Sequence, residues 1–212
     1  MSLIIGLIFL AIILTLALLR GKKIVPVLEQ KMAENFKGVF AHPNHTWVEA
    51  IQPDLAYVGT DEFTKSVFGS VEKFELPEKG DIIVQGGKAW SLKRGERELT
   101  QRAPVSGEVV EINPELLKNP KALFQKETWI LKIQPTKLRQ ELKNLLHGNL
   151  LRRWNQAVKE QLIATFTTSE FPVLQEGGEV KPGLGDELTS EQWNKVRKEF
   201  FDVDCEKEIN KL

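Results

Sequence analysis

Between residues 46 and 133 the apolar residues come in short runs, and glycines at 59, 69, 80, 86, 87, 95 and 107 stand between them. Runs of two to six residues bounded by turn formers are too short for packed helices and suit strands. The segments 47–48, 55–58, 71–76, 82–84, 89–92, 107–112 and 129–133 are therefore predicted strands. Many short strands with glycine turns point to a barrel or a sandwich. Helical interludes are expected at 61–68 and 114–123.

The flanks read differently. Residues 3–19 carry no charge, and Thr15 is their only polar side chain. That is the low end of the length that crosses a bilayer. A cleaved signal peptide is disfavoured, because no basic residue precedes the run and no small-x-small site ends it. A retained anchor over 1–20 is expected, followed by a juxtamembrane linker over 21–41 with a short helix at 27–35. Arg20, Lys22 and Lys23 follow the run, so the positive-inside rule places the remainder of the chain in the cytoplasm. The lone cysteine, Cys205, leaves no internal disulfide and reads as a surface thiol. With 29 basic and 29 acidic residues, the chain lacks the cationic surplus that nucleic acid demands.

Beyond Pro135, Leu138, Leu142, Leu145, Leu146, Leu150, Trp154 and Val158 recur at helical spacing, with a break expected near Gly148. Three uses compete for this amphipathic extension, 136–170: packing on the barrel, meeting a partner helix, or lying on a membrane with Arg152 and Arg153 at the headgroups. Packing is the expected one. Residues 171–188 are rich in proline and glycine and read as a loop. Thr189 with Gln192 spells a capping box that opens a helix near 190–201, within a C-terminal segment of 189–212.

Within residues 45–134, His45-Thr46-Trp47-Val48, Val58-Gly59, Leu76-Pro77, Gly80-Asp81, 103–109, Asn113 and Pro120 form a combination that resembles the glycine cleavage system H protein family. His45-Thr46-Trp47-Val48 is similar to its opening strand, and Val58-Gly59, Phe63 and Gly69 to its next strand and helix. Leu76-Pro77, Gly80-Asp81, Val84 and Gly86 resemble the approach to its carrier hairpin, and 103–109 the exit. Asn113, Leu116, Pro120, Leu123 and 129–133 resemble its closing helix and strand. The family's Pro-Tyr-Gly before the final tryptophan is missing here. The resemblance implies a lipoyl-type barrel-sandwich hybrid over 42–135, mainly β with helices; the flanking patterns place a transmembrane helix before it and amphipathic helices after it.

The family carries lipoate as an amide on a lysine at the hairpin tip. It passes aminomethyl groups among glycine decarboxylase, aminomethyltransferase and dihydrolipoyl dehydrogenase. No gap is needed between Pro77 and Gly107, and the resemblance then puts Glu96 at the lipoyl position and Lys93 where the family has an acidic residue. A carboxylate has no amine to acylate.

The hairpin's own chemistry agrees on the register. A turn at Gly95-Glu96 puts glycine first, as a type II′ turn prefers, sets Leu92 against Leu99, and pairs Lys93 with Glu98. A turn at Arg94-Gly95 would set Leu92 against Arg97. No cofactor is expected, with lipoate on Lys93 as the alternative. The charged tip of Lys93, Arg94, Glu96, Arg97 and Glu98 is a candidate docking surface, the rival being a solvated turn without a task.

Elsewhere the chain is sparing with chemistry. His42, His45 and His147 show no metal-ligand spacing, and His45 beside Trp47 reads as a packing residue. No nucleophile–base arrangement is present, so no enzyme activity is expected. Gly183-Leu184-Gly185 before a helix could meet a phosphate, but reads as linker. The expected role is a membrane-tethered scaffold, not lipoylated, whose protein partner is a glycine-cleavage-like or lipoate-handling enzyme. A periplasmic adaptor is the rival from another class, disfavoured because no hairpin insertion splits the lipoyl-like halves.

Overall fold

Trp47 and Gly59 show how the central sheet is made. They face each other between β2 (Thr46–Gln52) and β3 (Leu55–Thr60), and the indole N–H donates to the Thr60 carbonyl at 2.8 Å. A Cβ at residue 59 would stand 2.5 Å from the indole ring, so only glycine lets the ring lie across the strand. The computed structural model describes residues 38–125, 128–166, 180 and 183–202. The predicted anchor at 3–19, the predicted short helix at 27–35, most of the 171–188 loop and Cys205 lie outside the described residues. Among the described residues no helix is long and apolar enough to cross a membrane.

The remaining strands are β1 (Val39–His42), β4 (Lys73–Glu75), β5 (Ile82–Ile83), β6 (Lys88–Arg94), β7 (Arg97–Arg102), β8 (Gly107–Ile112), β9 (Leu131–Pro135) and β10 (Leu146–His147). They form a seven-stranded sheet, β10-β1-β2-β3-β9-β8-β5, and a three-stranded sheet, β4-β6-β7, with antiparallel pairing throughout. Helix α1 (Glu62–Phe68) starts at Asp61, whose carboxylate accepts from the Thr64 N–H. Helix α2 (Pro114–Lys118) is capped by Asn113 and runs on into a 3-10 turn, Pro120–Phe124. The fold is mainly β with helices.

Two expectations need correction. The linker predicted over 21–41 gives way to strand before its end: β1 starts at Val39 and pairs with β2 and β10. Nor is the leucine stripe one helix. It forms α3 (Leu138–Glu141), a 3-10 turn (Leu142–Asn144), β10, and then α4 (Gly148–Phe166). Leu146 and His147 are drawn to the free edge of β1, and Gly148 turns the chain into α4 with φ of +55°. Helical spacing alone cannot reveal an edge strand waiting for a partner. The stripe is nevertheless buried, with Leu138, Leu142, Leu145, Leu146, Trp154 and Val158 in the core and only Leu150 partly exposed. This is the packing use rather than the membrane-surface use.

A polar knot joins the two sheets. The fully buried Gln101 of β7 donates through Nε2 to the His45 carbonyl (3.1 Å) and to Thr60 Oγ1 (2.9 Å), and its Oε1 accepts from Trp90 Nε1 (2.8 Å). His45, at φ +62°, is the only described non-glycine residue in the left-handed region. Its N–H reaches the His42 carbonyl, its Nδ1 lies 2.7 Å from Asp61 Oδ2, and its carbonyl also accepts from the Asp61 N–H. These bonds offset the backbone strain. The imidazole is sandwiched by Phe63, Trp154 and Phe201, a packing role as expected.

Gln101→Leu should lower stability by about 2–4 kcal/mol, because it leaves the Trp90 N–H and the Thr60 hydroxyl without this partner in a dry core. Urea unfolding measures it, and a loss below about 1 kcal/mol would mean that the amide does not hold the sheets together.

Candidate functional site: a clasped hairpin tip

The β6–β7 hairpin has the register that its side chains predict. Leu92 faces Leu99, Lys93 faces Glu98 and Arg94 faces Arg97. Gly95 has φ of +52° and Glu96 a negative φ, so the glycine takes the first turn position as a type II′ turn requires. Glu96 is exposed at the tip.

Lys93 sits on the flank instead. Its Nζ is 3.4 Å from Glu75 Oε2 on β4 and 3.8 Å from Glu98 Oε1. Glu75 also meets Lys88 at 3.1 Å. The hydrogen bond from Lys88, and then its charge and that of Lys93, hold the Glu75 carboxyl below its usual range.

The two tip arginines point elsewhere. Arg94 pairs with Asp186, and Arg97 donates to the carbonyls of Gly185 and Leu188 while its guanidinium lies 5.9 Å from the centre of the Trp193 ring. Burial and the neighbouring Arg94 charge depress the Arg97 pKa, and Asp186 opposes them. The five charged residues of the predicted docking surface therefore do not form one free patch. Lys93, Glu96 and Glu98 face solvent at least in part, whereas Arg94 and Arg97 bind the chain's own C-terminal region.

That region also departs from expectation. Gly183-Leu184-Gly185 is not a free linker. It enters α5 (Leu184–Glu187), with Leu184 fully buried and Gly185 pressed against the backbone of α1. A Cβ at residue 185 would come within 2.3 Å of the Val67 carbonyl oxygen. Asp186 accepts from the N–H and the hydroxyl of Ser70, both at 2.9 Å. Helix α6 (Ser190–Val196) opens with the predicted capping box of Thr189 and Gln192, then widens into a π-helical turn, Arg197–Phe201. Trp193 packs edge-on against Phe68, and Phe200 and Phe201 pack on Phe63.

At the base of the hairpin Asn44 ties the same segment down. Its Oδ1 accepts from the Arg102 N–H and its Nδ2 donates to the Phe201 carbonyl, both at 2.7 Å. Sequence reasoning had marked the helix and its cap. It missed Glu75, Asp186 and Trp193 as partners of the tip, since no local pattern announces an ion pair between residues 92 positions apart.

Other regions add no chemistry at the tip. Among the described residues no group of three His, Cys, Asp or Glu side chains could hold a metal ion. A groove of about 700 Å³ runs between α1, the first hairpin and α4, lined by Trp47, Glu49, Asp61, Phe63, Leu151 and Lys159 among others, and no β6 or β7 residue lines it.

Comparison with known proteins follows the same outline. The family model for the glycine cleavage H-protein matches residues 39–159. A probable glycine cleavage system H protein of Pyrococcus furiosus is 32% identical over 124 residues, covering 58% of this chain and 90% of that protein. The glycine cleavage system H protein of Clostridioides difficile is 29% identical over 93 residues, covering 43% of this chain and 74% of that protein. A crystal structure of a glycine cleavage system H protein from Mycobacterium marinum aligns with a TM-score of 0.43 at 22% identity, over 46% of this chain and 84% of that one. The chain belongs to the glycine cleavage H-protein family. The match ends at residue 159, so the segment that binds the tip arginines lies beyond it.

His42 gives the base of the hairpin a pH dependence. Burial first, then the charges of Arg102 and His45, lower its pKa from 6.5 to about 4. It stays neutral in the fold, and its Nδ1 accepts from the Asn44 N–H at 3.0 Å. The unfolded chain takes up this proton first, so stability is full above pH 6.5 and falls as pH drops towards 4. The loss should reach roughly 3 kcal/mol at most. Urea midpoints measured across that range should decline for the wild type and decline less for His42→Asn. Parallel decline of the two proteins would assign the acid sensitivity to other groups.

Proposed function

We propose that this chain is a membrane-tethered binding module built on the H-protein fold and that it does not carry lipoate. The observation that carries this reading is the exposed Glu96 at the turn of the carrier-type hairpin. Amide attachment needs an amine at the tip, and this tip offers a carboxylate. Lys93 is a poor substitute, because it stands three residues back on the strand flank, between Glu75 and Glu98.

Without an arm the module acts through its surface, as a non-catalytic protein. Lys93, Glu96 and Glu98, with Glu75 on the adjoining strand, make the solvent side of the hairpin. Three carboxylates and one amine make this side mainly acidic, which suits a protein partner that presents basic groups. The names of the relatives, glycine cleavage system H proteins, favour a glycine-cleavage-like or lipoate-handling enzyme as that partner. The apolar run at 3–19 supports a single-pass anchor, and Arg20, Lys22 and Lys23 favour a cytoplasmic module.

Intact mass of the protein from its own host, with peptide mapping of residues 89–102, tests the absence of an arm. The unmodified mass is expected, and a lipoyl adduct on Lys93 would restore a carrier. Pull-down from native membranes tests the docking side. Lys93→Glu with Glu98→Lys should reduce partner recovery about ten-fold, as expected when like charges replace a complementary set, and undiminished recovery would remove the tip from the interface. Cysteine accessibility on either side of the membrane tests the topology, and a module reachable only from outside would refute the cytoplasmic placement.

A further inference from the structure

The net charge of zero conceals an uneven distribution. Residues 136–159 contain six basic residues and one acid, so the rest of the chain carries five more acids than bases. That one acid, Glu141, is buried and accepts from the N–H and the hydroxyl of Ser106, both at 2.6 Å. Lys137, Arg139, Lys143, Arg152 and Arg153 are exposed instead. Among the described residues none of these five forms an ion pair. Solvated surfaces ordinarily intersperse the two signs, and from 137 to 153 no acid is exposed.

The fold also fixes where the chain enters. Phe40 of β1 pairs with His147 of β10, and α4 starts at the next residue, Gly148. The strand that opens the described residues therefore lies beside the start of α4, and His147 falls in sequence between Lys143 and Arg152. Eighteen peptide links run from Arg20, at the end of the apolar run, to Gly38. They reach at most about 60 Å.

We propose that the exposed basic stretch 137–153 docks on anionic lipid headgroups, a proposal that rests on the membrane-tethered reading above. Charge selects this occupant. The cytoplasmic leaflet is negative, and each lysine or arginine near it strengthens attachment about five-fold. The leucine stripe is buried in the core, so the stretch does not insert and the contact is Coulombic, with the partly exposed Leu150 beside the two α4 arginines. The tether's reach far exceeds the screening length of about 8 Å in physiological salt. A tether alone thus presses no particular side of the module on the lipid, and the five cations select this one. The same surface repels the carboxylates of Glu75, Glu96 and Glu98, which leaves the hairpin side to a protein partner.

The test uses the full chain with Cys205→Ser and Gln140→Cys, which sets one thiol among the cations for a fluorescent dye. The probes are vesicles of phosphatidylcholine alone, or with phosphatidylserine in equal parts, each bearing a headgroup spin label that quenches a dye at the surface. Strong quenching is expected on the phosphatidylserine vesicles. It should fall to the phosphatidylcholine level in molar salt, and when Lys137, Arg139, Lys143, Arg152 and Arg153 are all replaced by glutamine. Lys118→Gln with Lys121→Gln, exposed cations on α2 and the turn after it, should leave the quenching unchanged.

Equal quenching on the two lipids would overturn the proposal. So would an equal loss in the Lys118 and Lys121 variant, since total charge would then be the cause. A dye response to single-stranded RNA with none on phosphatidylserine vesicles would also overturn it and hand the stretch to nucleic acid. Flotation of the full chain with phosphatidylcholine vesicles reads the anchor separately. A chain that fails to float there refutes the tether, while quenching on phosphatidylserine still decides the docking.

Discussion

Everything in this molecule hangs from the buried amide of Gln101. One side chain reaches from the edge strand of the small sheet into the large one, binding the strained His45 carbonyl, the Thr60 hydroxyl and the Trp90 indole at once. A buried amide is costly unless each polar atom finds a partner, and that cost makes the arrangement selective. The placement of the two sheets seen here satisfies all three partners. The left-handed turn at His45, the start of α1 at Asp61 and the course of β7 are consequences of that placement. The hairpin projects from it, with further contacts to the C-terminal segment at its tip.

How much of this was legible depended on whether the deciding contacts were local. The hairpin register could be read because Leu92, Leu99, Lys93 and Glu98 sit within eight positions of one another and Gly95 favours one turn. The Thr189–Gln192 capping box was readable for the same reason. The strand at 39–42 was hidden, since its burial comes from partners on both sides and its own four residues have no repeating pattern. The sequence marks the break at Gly148 but not the short strand before it, whose cause is the free edge of β1. Hardest of all was the fate of Arg94 and Arg97. As sequence they are surface charge at a loop tip, and only the fold supplies Asp186 and the carbonyls of Gly185 and Leu188.

This division of the tip changes what the charged hairpin means. Charges of both signs alternate along it, but they serve two different directions. Lys93 and Glu98 face each other on one side within a network that includes Glu75 and Lys88. The arginines on either side of the turn look to the chain's own extension. The H-protein family core is thus completed by a segment beyond the family match, and the surface left for others is narrower than the sequence suggested.

The spacing between the tip and its cover bears on how the protein is made. Arg97 finds its carbonyl partners 88 and 91 residues further along the chain. At ordinary ribosomal speeds of roughly 5–20 residues per second, the finished hairpin waits several seconds for the segment that shields its edge. During that interval every nascent copy exposes β7, and on a polysome neighbouring copies do so together. A premature stop or a proteolytic clip before residue 184 would make the exposure permanent and would also uncover Phe63 and Phe68, which the segment packs against. Shielding of this hairpin therefore turns on residues 184–201, made long after the family core is complete.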